Sequence, residues 1–177
     1  MKILAALLIS ILVLAGCQSG PTKLKEEVGG VVDNVVLVDT RSALEYSTYH
    51  VSGSVSLNSQ DFLILKNTNE KTRKLDPDVD QIIERLARRG LSPLKTVKLI
   101  SDKKDSVENK KWQWLLKNLN IRDVELLSLN EYIKNNKPLR PKAEPERSEI
   151  WTVDDKKNIL EKSEACFVNW SSESHCP

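Results

Sequence analysis

The chain has 177 residues, 40% of them hydrophobic and 29% charged, with a net charge of +2. That suits one folded domain of ordinary size and excludes a disordered chain, and so small a net charge gives no basis for electrostatic binding of nucleic acid. Two histidines and three widely spaced cysteines offer no metal-ligand spacing such as CxxC, and no cofactor is implied.

Residues 1–16 differ in kind from the rest. Lys2 is followed by the apolar run "ILAALLISILVLA", Ile3 to Ala15. A spanning helix needs about 20 apolar residues, so this run is short for one and suits the core of a secretory signal. "LAGC" then closes at Cys17. The segment resembles the lipobox of bacterial lipoproteins, which implies that Cys17 carries lipid and begins the mature chain. An ordinary signal peptide or a short anchor is the alternative. Gln18 stands where an Asp tends to hold lipoproteins at the inner membrane, so the resemblance implies attachment to the outer membrane. Residues 17–30 read as the lipidated cysteine and a polar tether, and several acyl chains on one residue anchor stably where one does not.

From residue 31 the pattern is that of a folded domain. "NVVLVD", Asn34 to Asp39, is a short β-branched run that suits a buried parallel strand. "SVSL", Ser54 to Leu57, reads as a second short strand after a turn at Gly53. "DFLILKN", from Asp61, is apolar without a decisive period. A helix is expected with Asp76 as N-cap, Pro77 in its first position and Gly90 beyond its end. Its apolar face is Val79, Ile82, Ile83, Leu86 and Ala87. "TVKLIS", Thr96 to Ser101, is the next strand, and "DKKDSVENK" is a polar loop passing into a helix. Trp112, Leu115, Leu116 and Leu119 share a face of that helix, and Asn120 stops it. "VELLSL" is a further strand and "NEYIKNN" a short helix. Such alternation predicts an α/β fold over 31–136, a central parallel sheet flanked by helices on both faces. Residues 137–148 are rich in Pro and charge and read as a linker; residues 149–177 form a C-terminal extension.

One stretch carries a more specific pattern: Asp39 and Arg41, then Glu45 and Tyr46, then His50, Val51, Gly53 and Ser54. It resembles the rhodanese family of sulfurtransferases, whose first strand ends in D-x-R and is followed by E-[YF] and G-H-[IV]-x-G-[AS]. Tyr49 replaces the Gly before the His. "LARRGLSPLKTVKLIS" and "WLLKNLNIRDVELL" resemble the helix–strand units that follow in that family. Arg41 and Glu45, four apart, are expected to pair across a helical turn, and Gly53 to permit a tight turn. His50 reads either as a base or, preferably, as a structural histidine bonded to a neighbouring loop.

The resemblance also implies where chemistry belongs. An active rhodanese carries a Cys directly after its central strand, in a loop of N–H groups that lowers the thiol pKa. Here the loop is Ser101, Asp102, Lys103, Lys104, Asp105 and Ser106. Ser101, or Asp102 with a one-residue shift, stands at the nucleophile position, and neither holds a persulfide. The expectation is a catalytically inactive rhodanese-like domain, a binding or scaffolding module at the bacterial envelope with a protein partner. Lys103, Lys104 and the following helix N-terminus are a candidate site for a small anion. The alternatives are an enzyme of the family's sulfurtransferase or phosphatase kind and a thiol redox protein using Cys166 and Cys176. A disulfide between those two is expected in an oxidising compartment. "ACFVNWSSES" echoes "VVLVDTRSAL", so the tail reads as the stub of a second repeat or as an extension packed on the domain. The second is preferred, because too few residues remain for another core.

Overall fold

Two neighbouring strands organise the molecule: β1, Val35–Asp39, and β5, Thr96–Ser101. The computed structural model describes residues 34–67, 69, 71–135, 145–171 and 176. Cys17, with the signal and tether assigned to residues 1–30, lies outside them, as do residues 137–144 of the expected linker. Between β1 and β5 the chain forms α1, Ala43–Thr48, β2, Val55–Ser56, and an antiparallel hairpin of β3, Leu63–Asn67, with β4, Thr72–Leu75. Helix α2, Val79–Arg88, completes that stretch. After β5 come α3, Val107–Asn118, β6, Val124–Ser128, α4, Leu129–Asn135, and in the tail α5, Lys156–Ser163.

The main sheet has the order β2-β1-β5-β6, and every pairing in it is parallel. This is the expected α/β architecture. The chain leads from β1 to β2 in one direction and from β5 to β6 in the other, so that crossovers of the usual right hand place α1 and α3 toward opposite faces. Central strands covered on both sides must be apolar throughout, and Val36, Leu37 and Val38 of β1 are all buried.

The helix expected from Asp76 begins two residues later. Asp78 is the N-cap, its side chain accepting the Gln81 N–H at 3.1 Å, and the first helical residue is Val79. Asp76 caps a turn instead, accepting the Asp78 N–H at 3.0 Å. Pro77 therefore lies outside the helix. At the far end Gly90 has φ +82°, and a Cβ there would sit 2.7 Å from Pro145 Cβ and 2.8 Å from the Glu146 carbonyl oxygen. Both the left-handed backbone and the close approach of the chain require glycine. Asn120, with φ +67°, ends α3 in the same way.

The C-terminal segment packs on the domain. Trp112 of α3 is fully buried between Phe62 and Phe167, in edge-to-face contacts at 5.0 and 5.3 Å. Phe167 belongs to a π-helical turn, Glu164–Val168, that continues α5. Trp151 donates its indole N–H to the Leu119 carbonyl at 2.7 Å. Ser148, at the end of the expected linker, gives its N–H to the Ala87 carbonyl at 2.9 Å and its hydroxyl to the Gly90 carbonyl at 2.8 Å. Cys166, itself buried, is joined to Cys176 with a Cα–Cα distance of 5.6 Å.

Candidate functional site

In an open parallel sheet ligands bind beyond the carboxyl ends of the strands, where neighbouring connections leave in opposite directions. Here that point lies between β1 and β5. It brings the Asp39–Ser54 stretch and the Ser101–Ser106 loop together.

The first stretch is wired almost entirely within itself. Asp39 is 1% exposed and takes Arg41 in a two-point grip, from Nε at 3.0 Å and Nη2 at 2.7 Å, as well as the Arg41 N–H at 3.0 Å. The same guanidinium donates to the Tyr49 carbonyl at 2.8 Å. Those bonds to Asp39 hold the Arg41 guanidinium above its ordinary value, so its charge is permanent. The pairing expected between Arg41 and Glu45 is not formed. Arg41 precedes the Ser42 N-cap and so is not on the helix. Glu45 turns back to close a capping box, accepting the Ser42 N–H at 3.0 Å, while Ser42 Oγ accepts the Glu45 N–H at 3.3 Å. The Ser42 hydroxyl, then the Ser42 N–H, hold the Glu45 carboxyl below its usual range.

The turn behind the helix is equally closed. Gly53 has φ +78°, and the Ser54 N–H meets the Val51 carbonyl at 2.9 Å. Tyr46 donates its hydroxyl to the Ser54 carbonyl at 2.7 Å. His50 stacks on the Tyr46 ring at 4.2 Å, with Nδ1 2.9 Å from the Tyr46 carbonyl. Its ring is thus engaged by the end of its own helix, where a bond to a neighbouring loop was expected.

The second loop is built differently. Ser101 is the last residue of β5, paired in register with Ser128 and only 6% exposed. Asp102 heads the loop in the open, its carboxylate 3.9 Å from Arg41 Nη1. Lys103, Lys104 and Asp105 are exposed, and no acceptor among the described residues takes their N–H groups. Ser106 caps α3, its hydroxyl accepting the Asn109 N–H at 3.1 Å. The two lysines do not make this end of the sheet positive. Asp102 and Asp105 belong to the same loop, Glu45 lies close enough for Asp102 to influence its carboxyl, and Lys104 does the same for Glu131.

Two residues not anticipated from the sequence hold this loop from beneath. Asn109 is fully buried; its amide N–H donates to the Lys104 carbonyl at 2.9 Å and reaches the Leu99 carbonyl at 3.5 Å. Its Oδ1 accepts the hydroxyl of Thr40 at 2.7 Å, and the Thr40 N–H bonds the Ile100 carbonyl at 2.9 Å. The loop after β5 is thereby tied to the residue that follows β1. The available signal was an Asn on the apolar stripe of α3, three residues before Trp112 and seven before Leu116.

The sequence pattern of the rhodanese-like domain matches residues 21–133, well over half of the chain. The chain belongs to the rhodanese-like domain family. No match was found among curated proteins. In this rhodanese-like domain Asp39, Arg41 and Asp102 meet at the switch point, and Ser101 lies just below it. Cys166 and Cys176 take no part there: they join the C-terminal turn to the chain end, with Cys166 in the hydrophobic core.

Proposed function

We propose that this rhodanese-like domain is a catalytically inactive binding module, anchored by lipid on Cys17 at the bacterial outer membrane and presenting its switch-point surface to a protein partner. One observation carries the reading. The strand end that would offer a nucleophile offers the buried hydroxyl of Ser101, followed by an Asp102 carboxylate beside Arg41. Sulfur transfer runs through a thiolate that becomes a persulfide, and an exposed carboxylate repels an anionic sulfur donor. The surroundings favour a partner surface: Leu44 on α1 and Val107 at the start of α3, in the helices that follow the two central strands, are 76% and 50% exposed. A small anion at Lys103 and Lys104 has weaker support, because Asp102, Asp105, Glu45 and Glu131 offset those charges. The disulfide supports a structural clip, in place of a pair of redox thiols.

The test is direct. The purified protein is incubated with thiosulfate or mercaptopyruvate and cyanide, and thiocyanate is expected to stay at background. Cysteine-dependent turnover would restore the sulfurtransferase reading. In the producing cell, Cys17→Ser is expected to leave an unprocessed precursor or to release the protein from the membrane fraction; normal processing and retention would remove the lipid anchor from the proposal.

A further inference from the structure

The hairpin is the least explained part of the molecule. Its root is fixed, because Leu63 pairs with Leu75 and Leu75 is buried. Beyond the root, Ile64 is 37% and Leu65 53% exposed. Around them stand Lys66, Lys71, Arg73 and Lys74. Arg73 reaches Gln60 at 3.0 Å, and among the described residues none of the three lysines is in an ion pair. Residues 63–75 hold four basic side chains and one acidic. Lysines and breaks in register on an open edge guard against strand pairing, and the register of the hairpin shifts between Leu65 and Asn67. That accounts for the lysines, and leaves two large aliphatic side chains in water beside them.

Basic and aliphatic side chains exposed together beyond the buried root of a hairpin are a composition that binds anionic lipid: the cations meet headgroup charge and the apolar groups enter the acyl boundary. Alternation puts Leu65 and Arg73 on one side of the hairpin and Ile64 and Lys74 on the other. An end-on approach therefore uses both sides. We propose that the β3–β4 hairpin is a second membrane contact, docking on an anionic phospholipid surface. The proposal rests on the anchoring reading for its effective concentration. Seventeen chain steps separate Cys17 from Asn34, which span at most about 60 Å. A domain of this size is about 40 Å across, so the hairpin stays within reach of the leaflet. A tether of that length gives a weak contact an effective concentration in the millimolar range.

The test uses the full chain reconstituted in two sets of vesicles, phosphatidylcholine alone and phosphatidylcholine with phosphatidylglycerol, and reads amide hydrogen exchange of residues 63–75. Slower exchange is expected only on the phosphatidylglycerol vesicles, fading as salt is raised past the point where surface charge is screened. Each lysine near an anionic surface carries a roughly fivefold preference, so the triple variant Lys66→Gln, Lys71→Asn, Lys74→Gln is expected to lower the docked-to-undocked ratio about a hundredfold. The salt series keeps the test decisive if that variant folds poorly. Equal exchange on the two vesicle sets overturns the proposal. Protection seen in native membranes but on neither vesicle set assigns the hairpin to a protein partner and overturns it too. The mass of the N-terminal peptide reports the anchor separately: an unmodified Cys17 with a protected hairpin removes the lipid and keeps the docking.

Discussion

Two helices begin at the carboxyl ends of adjacent strands, α1 after β1 and α3 after β5, and both begin with a serine N-cap. The third helical residue decides what each start becomes. In α1 it is Glu45, exposed, which returns to Ser42 and satisfies only local N–H groups. In α3 it is Asn109, fully buried, which leaves the Ser106 cap half made and reaches Thr40, Leu99 and Lys104 instead. One start is a self-contained clasp; the other is a strut under a loop. The difference shows two ways in which the domain orders the chain at its switch point. The exposed loop 102–105 is shaped from below by a buried amide, so its outer surface carries little structural duty and is open to other use.

Removing the strut is expected to have the largest effect on this contrast. Asn109→Ala deletes a buried amide: the Lys104 carbonyl loses its side-chain donor, and the Thr40 hydroxyl keeps only the Ile100 carbonyl, at 3.2 Å. Each of these hydrogen bonds is worth about 1 kcal/mol net, so a total loss of about 2 kcal/mol is expected in urea unfolding. Hydrogen exchange should quicken in residues 101–106 and stay unchanged in 41–54. A loss below about 1 kcal/mol would mean that the loop stands without the strut, and the contrast with α1 would collapse.

The clasp should matter less. Ser42→Ala removes an N-cap, a change that typically costs about 1 kcal/mol. Its consequences should stay local, in faster exchange over α1, because the bonds between Asp39 and Arg41 do not pass through Ser42. Loosening of the 101–106 loop in this variant would show that the two starts are coupled through Arg41 and Asp102.

How much of this was legible in the sequence follows the range of each interaction. Strand β5 and the stops at Gly90 and Asn120 were readable, because β-branched runs and left-handed turns are written in adjacent residues. The family signature was readable for the same reason. The N-cap of α2 was misplaced because Asp76 and Asp78 both follow capping chemistry, and only the fold selects which one faces the first turn. Arg41 and Glu45 have the spacing of a helical pair, yet the helix starts between them. Strand β4, "TRKL", has neither apolar alternation nor burial before Leu75, so only its pairing with β3 reveals it. The bonds from Asn109 to Thr40 and from Trp151 to Leu119 join residues 69 and 32 apart, and nothing local announces them.

The smallest effect concerns acid. The Glu45 carboxyl lies below its ordinary value of 4.5, first because the Ser42 hydroxyl and then the Ser42 N–H stabilise its charge. A carboxyl lowered in the folded state contributes stability that is complete above its unfolded value and fades as pH falls through the folded one. The clasp should therefore hold at neutral pH and loosen only below about pH 4.5, whereas the strut, built on an amide, has no acid limb of its own. Ser128 and Glu131 form a second clasp of the same chemistry at the start of α4, also with a lowered carboxyl, and it serves as an internal control. Carboxyl-carbon NMR titration should find both glutamates titrating below the usual range, and Ser42→Ala should return Glu45 toward it while leaving Glu131 in place. Exchange in α1 should rise with acidification in the parent and show a flatter response in Glu45→Gln. An Asn109→Ala protein whose loop 101–106 acquired the same acid dependence would break the distinction, since it would mean that a carboxylate shares the strut's task.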